Sequence, residues 1–233
     1  MTLINWEMSE QSLAIFSDTL VLNADDMRPR NFMTKIFVLP HLNGLITGIG
    51  LAPLISDFFI SAKEHIVARD IVHLAEYAPE RLRGIWSDYE AKLHPDATST
   101  IYTFGFDKEA GRVRGFAYRS TSNFESEELG YGMALKPAPA DASAFEGIAD
   151  IQSFVEYCLH QQRIERERPR MERVGIGGEL WLYTIAVDGG RPIFGQQLIC
   201  PFDHFEDDWE ALLAQLPANQ GSILSQLVLA RDA

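Results

Sequence analysis

Along the first fifth of the chain the apolar positions come in short runs divided by polar clusters, a pattern of strands rather than helices. Residues 3–6 form one run and 13–22 a second, interrupted only by Ser17-Asp18-Thr19. A polar loop with Asp25, Asp26, Arg28 and Arg30 follows, then two further runs, 35–39 and 44–47, around Pro-His-Leu-Asn. Pro53 suits a first helical turn and Asp70 a helix cap. Pro79 then predicts a restart, with Leu82, Ile85, Trp86, Tyr89 and Leu93 on one face. Residues 101–106 and 113–118 flank a loop ending in Gly111 and predict a hairpin. Residues 121–135 read as extended, broken at Gly130-Tyr131-Gly132. After a Pro/Ala-rich connector at 137–144, Ile151, Phe154, Val155, Cys158 and Leu159 mark an amphipathic helix. A second hairpin, 180–187 with 193–199, turns at Asp188-Gly189, and Asp203 with Glu206 predicts a capping box for a helix through Leu216.

Two hairpins in a chain that also carries helices argue against an alternating parallel sheet. The order predicts an α+β sandwich, two antiparallel sheets with helices on their outer faces. Both hairpins serve the same pair of sheets, so one domain over 1–233 is expected. Residues 36–56 contain no charge and are long enough to span a bilayer. Pro40, His41, Asn43, Gly44, Gly48, Gly50 and Pro53 punctuate them, so they read as buried core.

Composition narrows the function. With 33 acidic against 20 basic residues the net charge is −13, which argues against an extended phosphate-binding surface and against an anionic membrane. Neither a nucleic-acid nor a membrane partner is expected. The N-terminus lacks the basic and apolar segments of a secretory signal, and only two cysteines are present, so a reducing, cytoplasmic setting is expected. The six histidines lack metal-ligand spacing, and no metalloprotease, paired-cysteine, nucleophile-elbow or P-loop motif is present. Neither a metal nor another cofactor is expected. Gly48-Ile-Gly50 is not followed by a dinucleotide fingerprint, because Pro53 stands where the last glycine belongs. The arginines between 163 and 173 alternate with glutamates and read as a solvated helix end, with an anion- or partner-binding patch as the alternative.

One constellation carries chemistry. Thr2 follows the initiator methionine, and methionine removal would free a threonine whose own α-amine, with a pKa of about 7.7–8.0, serves its hydroxyl as base. Asp18 and Lys35 lie on strands that should neighbour the first, where they would tune that hydroxyl. Gly48 or Gly50 ends the next strand and is placed to offer a backbone N–H to an oxyanion.

With Thr2, Ser17-Asp18, Lys35-Ile36, the Thr47-Gly-Ile-Gly50 turn into a helix, and Gly177-Gly178-Glu179-Leu180, the chain resembles the proteasome β-subunit-like N-terminal nucleophile (Ntn) hydrolases. The resemblance runs to about Val187. It implies a four-layer αββα sandwich, Thr2 as nucleophile, Asp18 and Lys35 as its electrostatic partners, and Gly48 or Gly50 as oxyanion donor. It further implies a peptide or small amide substrate and a homo-oligomer built through the helix layers. The chain departs from the family's active members at Gly130-Tyr131-Gly132 and at Arg173–Ile176, where those members carry polar residues. A catalytically inactive, structural or partner-binding subunit of the same fold is therefore the second reading.

Overall fold

In the computed structural model, which describes residues 2–23, 25–139 and 147–215, the chain opens with an antiparallel hairpin of Ile4–Met8 (β1) and Ser12–Ser17 (β2). Leu20–Leu22 (β3) and Pro29–Phe32 (β4) pair by themselves. Ile36–Leu39 (β5) and Gly44–Ile49 (β6) form the next hairpin and lead into helices Ala52–Glu64 (α1) and Ile71–Glu90 (α2). Thr100–Asp107 (β7) and Arg112–Arg119 (β8) follow, then the short strands Ser126–Glu128 (β9) and Gly132–Ala134 (β10). Helix Ile151–Glu167 (α3), the hairpin of Glu179–Asp188 (β11) and Arg191–Pro201 (β12), and helix Phe205–Leu213 (α4) complete the described order.

Two five-stranded antiparallel sheets result. One runs β10-β1-β2-β11-β12, the other β5-β6-β7-β8-β9. They stack through a core of Ile4, Trp6, Leu13, Ile15 and Ile185 from the first sheet and Leu45, Tyr102, Phe104 and Val113 from the second. On its outer face the second sheet is covered by α1 and α2, through Leu54, Phe58, Leu74 and Leu82. The first sheet is covered by α3, whose Phe154, Val155 and Cys158 meet Phe16, Leu180 and Leu182. The architecture is thus the expected αββα sandwich. Strands buried on both faces read as nearly continuous apolar runs, which is why β2 and β5–β6 stand out in the sequence.

Contrary to expectation Asp18 is not on a strand: β2 ends at Ser17 and β3 begins at Leu20, so Asp18 stands where the chain leaves the sheet, and Lys35 likewise immediately precedes β5. The break at Gly130-Tyr131-Gly132 marks a crossing, because β9 edges the second sheet and β10 the first. Asp70 caps α2 as expected, its side chain accepting from the His73 backbone N–H at 3.0 Å.

Several local expectations are corrected. Part of the polar loop is strand β4, which β3 holds in register. Pro79 does not restart a helix; α2 runs through it. Leu74, Ala75, Ala78, Leu82 and Ile85 all bury on the sheet. At about 1.5–3 kcal/mol per large apolar side chain this outweighs the roughly 3 kcal/mol cost of an internal proline. Leu93 lies beyond the end of that helix. In α3, Ile151 is exposed, and the buried stripe continues instead through Gln161, Gln162 and Glu165. The capping box at α4 is absent. His204 occupies the cap in a left-handed conformation, and the Asp203 carboxylate accepts from Arg163 Nε at 3.1 Å instead. Glu206, Asp207 and Asp208 still fill the first turn of α4, where negative charge suits the helix dipole. Leu216 and positions 140–144 of the connector lie outside the described residues.

Candidate active site

Asp18 is the centre of the site. It is buried, and its Oδ1 accepts three hydrogen bonds, from Thr2 Oγ1 at 2.6 Å, Lys35 Nζ at 2.7 Å and the Leu3 backbone N–H at 3.1 Å. Its Oδ2 accepts from the Gly177 backbone N–H at 3.2 Å. Hydroxyl and ammonium therefore share one carboxylate oxygen, and cannot be further apart than the two bonds laid end to end.

Each partner is held by its element. Thr2 enters β1, which pairs with β2 up to Ile4 opposite Ser17, so that Asp18 lies just beyond the pairing. Lys35 precedes β5, and its carbonyl accepts from the Thr47 hydroxyl at 2.8 Å. Its ammonium donates a second bond to the Leu20 carbonyl at 2.7 Å. Burial holds the Lys35 ammonium below the usual lysine pKa range, with the charge and hydrogen bond of Asp18 opposing that shift.

The segment before β11 closes the site. The Gly177 carbonyl accepts from the backbone N–H groups of Thr19 and Leu20, at 3.2 and 3.0 Å. Gly178 has φ of +75°, and a Cβ there would lie 2.3 Å from Thr19 Oγ1. The paired glycines thus let β11 start against the chain that carries Asp18, with Thr19 Oγ1 accepting from the Glu179 N–H at 2.9 Å. Within the stretch Arg173–Ile176, Val174 N–H donates to the buried Glu165 carboxylate at 2.6 Å.

Of the two oxyanion candidates, Gly48 lies one residue past Thr47, the partner of Ile36, on the strand beside Lys35. Gly50 has φ of +106° and packs on Thr98 and Ser99, which gives it a separate purpose in the turn into α1. The structure thus joins Thr2, Asp18 and Lys35 directly, and puts Gly48 on β6, the strand paired with β5, packed against Thr100 and Ile55, while Gly50 faces the end of another loop.

Beside the Asp18–Lys35 pair opens a cavity of about 360 Å³. Its walls include Phe32, Trp181, Phe205 and Trp209, with Glu179 at the side. Phe32 packs against Phe205 and Trp209 at ring-centroid distances of 5.3 and 6.0 Å. Sequence reasoning missed this wall. Its one legible signal is the aromatic pair Phe205 and Trp209, four residues apart on an otherwise acidic helix.

Elsewhere the expected packing roles are filled. Cys158 is buried against α3's sheet, and burial pushes its thiol up to about 12. Arg163 and Arg166 do not form a free patch, since they pair with Asp203 and Asp208 of the α4 region at 3.1 and 2.7 Å. Among the described residues, no group of three or more His, Cys, Asp or Glu is placed to hold a metal ion, and no helix is long and apolar enough to cross a membrane.

No protein-family model matches the chain. No curated protein matches it in sequence. Solved structures do match. Anbu (ancestral beta-subunit) from Yersinia bercovieri superposes with a TM-score of 0.59 at 14% identity, over 94% of this chain and 98% of that one. An Anbu mutant from Hyphomicrobium sp. strain MC1 gives 0.61 at 12% identity, with both chains wholly covered. At such identity the likeness is one of fold, and the fold is proteasome-related and Ntn-like.

Proposed function

We propose that this chain is a proteasome-like N-terminal threonine hydrolase that cleaves peptide or other amide bonds, with Thr2, Asp18 and Lys35 as its catalytic group. The observation that carries the reading is the convergence of the Thr2 hydroxyl and the Lys35 ammonium on one buried oxygen of Asp18, beside an open cavity. Loss of Met1, which lies outside the described residues, frees the α-amine of Thr2. Neutral amine takes the hydroxyl proton as Oγ attacks the substrate carbonyl carbon, and the same proton then goes to the departing amine. The product is an acyl ester on Thr2, which water hydrolyses by the reverse sequence. Lys35 acts as a fixed cation that lowers the cost of negative charge on Oγ, and Asp18 holds Lys35 in place. Gly48 or Gly50 supplies the N–H for the oxyanion. Residues 1–233 act as one unit, in the cytoplasm, and copies associate through the outer helix layers; sedimentation velocity of the purified protein tests the last point.

The decisive measurement is intact mass of protein purified from its native host, followed by an electrophilic amide-hydrolase probe. The expected result is loss of one methionine and covalent labelling at Thr2, with neither labelling nor hydrolysis in Thr2→Ala. Retention of Met1, or hydrolysis unchanged in Thr2→Ala, overturns the mechanism.

A further inference from the structure

We infer that the aromatic cavity beside Asp18 and Lys35 seats a cationic side chain of the substrate, arginine above all, and that Glu179 selects it. The inference rests on the hydrolase reading for its place in a reaction, but the pocket's preference follows from its own walls.

Charge decides the class of ligand. Three side chains that carry charge at neutral pH line the cavity, Asp18, Lys35 and Glu179. Asp18 and Lys35 are joined at 2.7 Å and neutralise each other. Glu179 remains. One of its oxygens, Oε2, accepts the Trp181 indole N–H at 2.9 Å. Its other oxygen holds no hydrogen bond among the described residues. The pocket therefore presents one carboxylate with a free face.

The walls then decide its shape. Phe32, Phe205 and Trp209 stand together as a packed aromatic group, and Trp181 is fixed by its bond to Glu179. Aromatic faces carry negative potential and attract a cation within about 6 Å of the ring centre, more strongly for tryptophan than for phenylalanine. A planar guanidinium both stacks on such rings and forms a fork of hydrogen bonds to a carboxylate, which an ammonium does less well. An apolar side chain in the same place would cover Glu179 without giving it a partner, at a cost in desolvation. An acidic one would face like charge from Glu179 in a chain of net charge −13. The volume, about 360 Å³, lies at the small end of ligand pockets, which run from about 300 to 1,000 Å³. It suits one long side chain.

The test titrates the full-length protein with N-acetyl-arginine amide and N-acetyl-norleucine amide, following binding by calorimetry. The expected result is saturable binding of the arginine compound, about tenfold tighter than the norleucine compound, as one good cation–aromatic and carboxylate pairing implies. Glu179→Gln preserves shape and still accepts from Trp181, and it should shrink that preference several-fold, to what the aromatic walls alone supply, without changing thermal stability. No saturable binding of either compound, equal binding of both, or an unchanged preference in Glu179→Gln overturns the inference. These outcomes separate the two proposals. Arginine-selective binding in a protein that retains Met1 would uphold the pocket and sink the hydrolase. Thr2-dependent hydrolysis with no preference for basic residues would do the reverse.

Discussion

A single carboxylate oxygen organises the site. Asp18 Oδ1 accepts from a hydroxyl, an ammonium and an amide, so removing any one donor leaves the others closer to a full negative charge. The Lys35 ammonium is the most consequential donor, because burial lowers its proton affinity while Asp18 works to retain it. The proposed mechanism requires Lys35 charged and the Thr2 amine neutral, which sets the sign of both pH limbs. Hydrolysis should rise with pH as the amine loses its proton, near about 7.7–8.0. It should fall again as Lys35 loses its own, and because burial lowers that pKa, the fall begins below the ordinary lysine range. A pH profile of kcat/KM checks this. In Asp18→Asn the opposing charge is gone, so the alkaline fall should move to still lower pH and the maximum rate drop by about 100-fold.

At the scale of elements, α4 is the piece that gives the cavity an outer wall. It lies on β4 through Phe205 and Trp209, and it is tied to α3 by the Arg166–Asp208 pair at 2.7 Å. Asp208 is itself buried, and burial raises its carboxyl pKa against the opposing charge of Arg166. Arg166→Leu would leave that carboxylate buried without its cation. We expect a loss of about 1–3 kcal/mol in urea unfolding at neutral pH. With Arg166 gone the Asp208 pKa rises further, so acidification protonates it in the folded state and removes part of the deficit. The difference between variant and wild type should therefore shrink between pH 7 and pH 5. A deficit that stays constant over that range would mean the pair contributes only packing.

For the whole molecule, the stacking of the sheets is what brings β1, β5 and the start of β11 to one place. Trp6 is at its centre, with ring centroids 5.0 Å from Tyr102 and 5.4 Å from Phe104 across the sheet interface. Trp6→Ala should cost about 3–5 kcal/mol, read as a lower midpoint in guanidinium unfolding. Because Thr2 leads into β1 and Lys35 into β5, strands of different sheets, the same change should slow labelling of Thr2 by the probe. Loss of stability without any effect on labelling would show that the site is held by its hydrogen bonds alone.

Much of this was legible in the chain. The double-sided burial of β2 and β6 produces apolar runs that need no partner to be recognised, and local signals such as Asp70 before a helical stripe act over a few residues. Thr2, Asp18 and Lys35 were likewise visible, because each sits at the edge of an apolar run where a polar residue is conspicuous. Other features depend on groups far apart in sequence. Pro79 remains in a helix only because the sheet beneath repays it, and Asp203 leaves its expected cap because Arg163 stands across from it. The cavity wall joins Phe32 to Trp209, and Gly177 reaches Asp18 across most of the chain. Periodicity and local chemistry determined the reactive residue types and most of the strands and helices, though not β4 or the unbroken run of α2. Which of those residues meet, and what surrounds them, was decided by the packing of two sheets, since contact energies between distant segments leave no mark on the order of residues within either one.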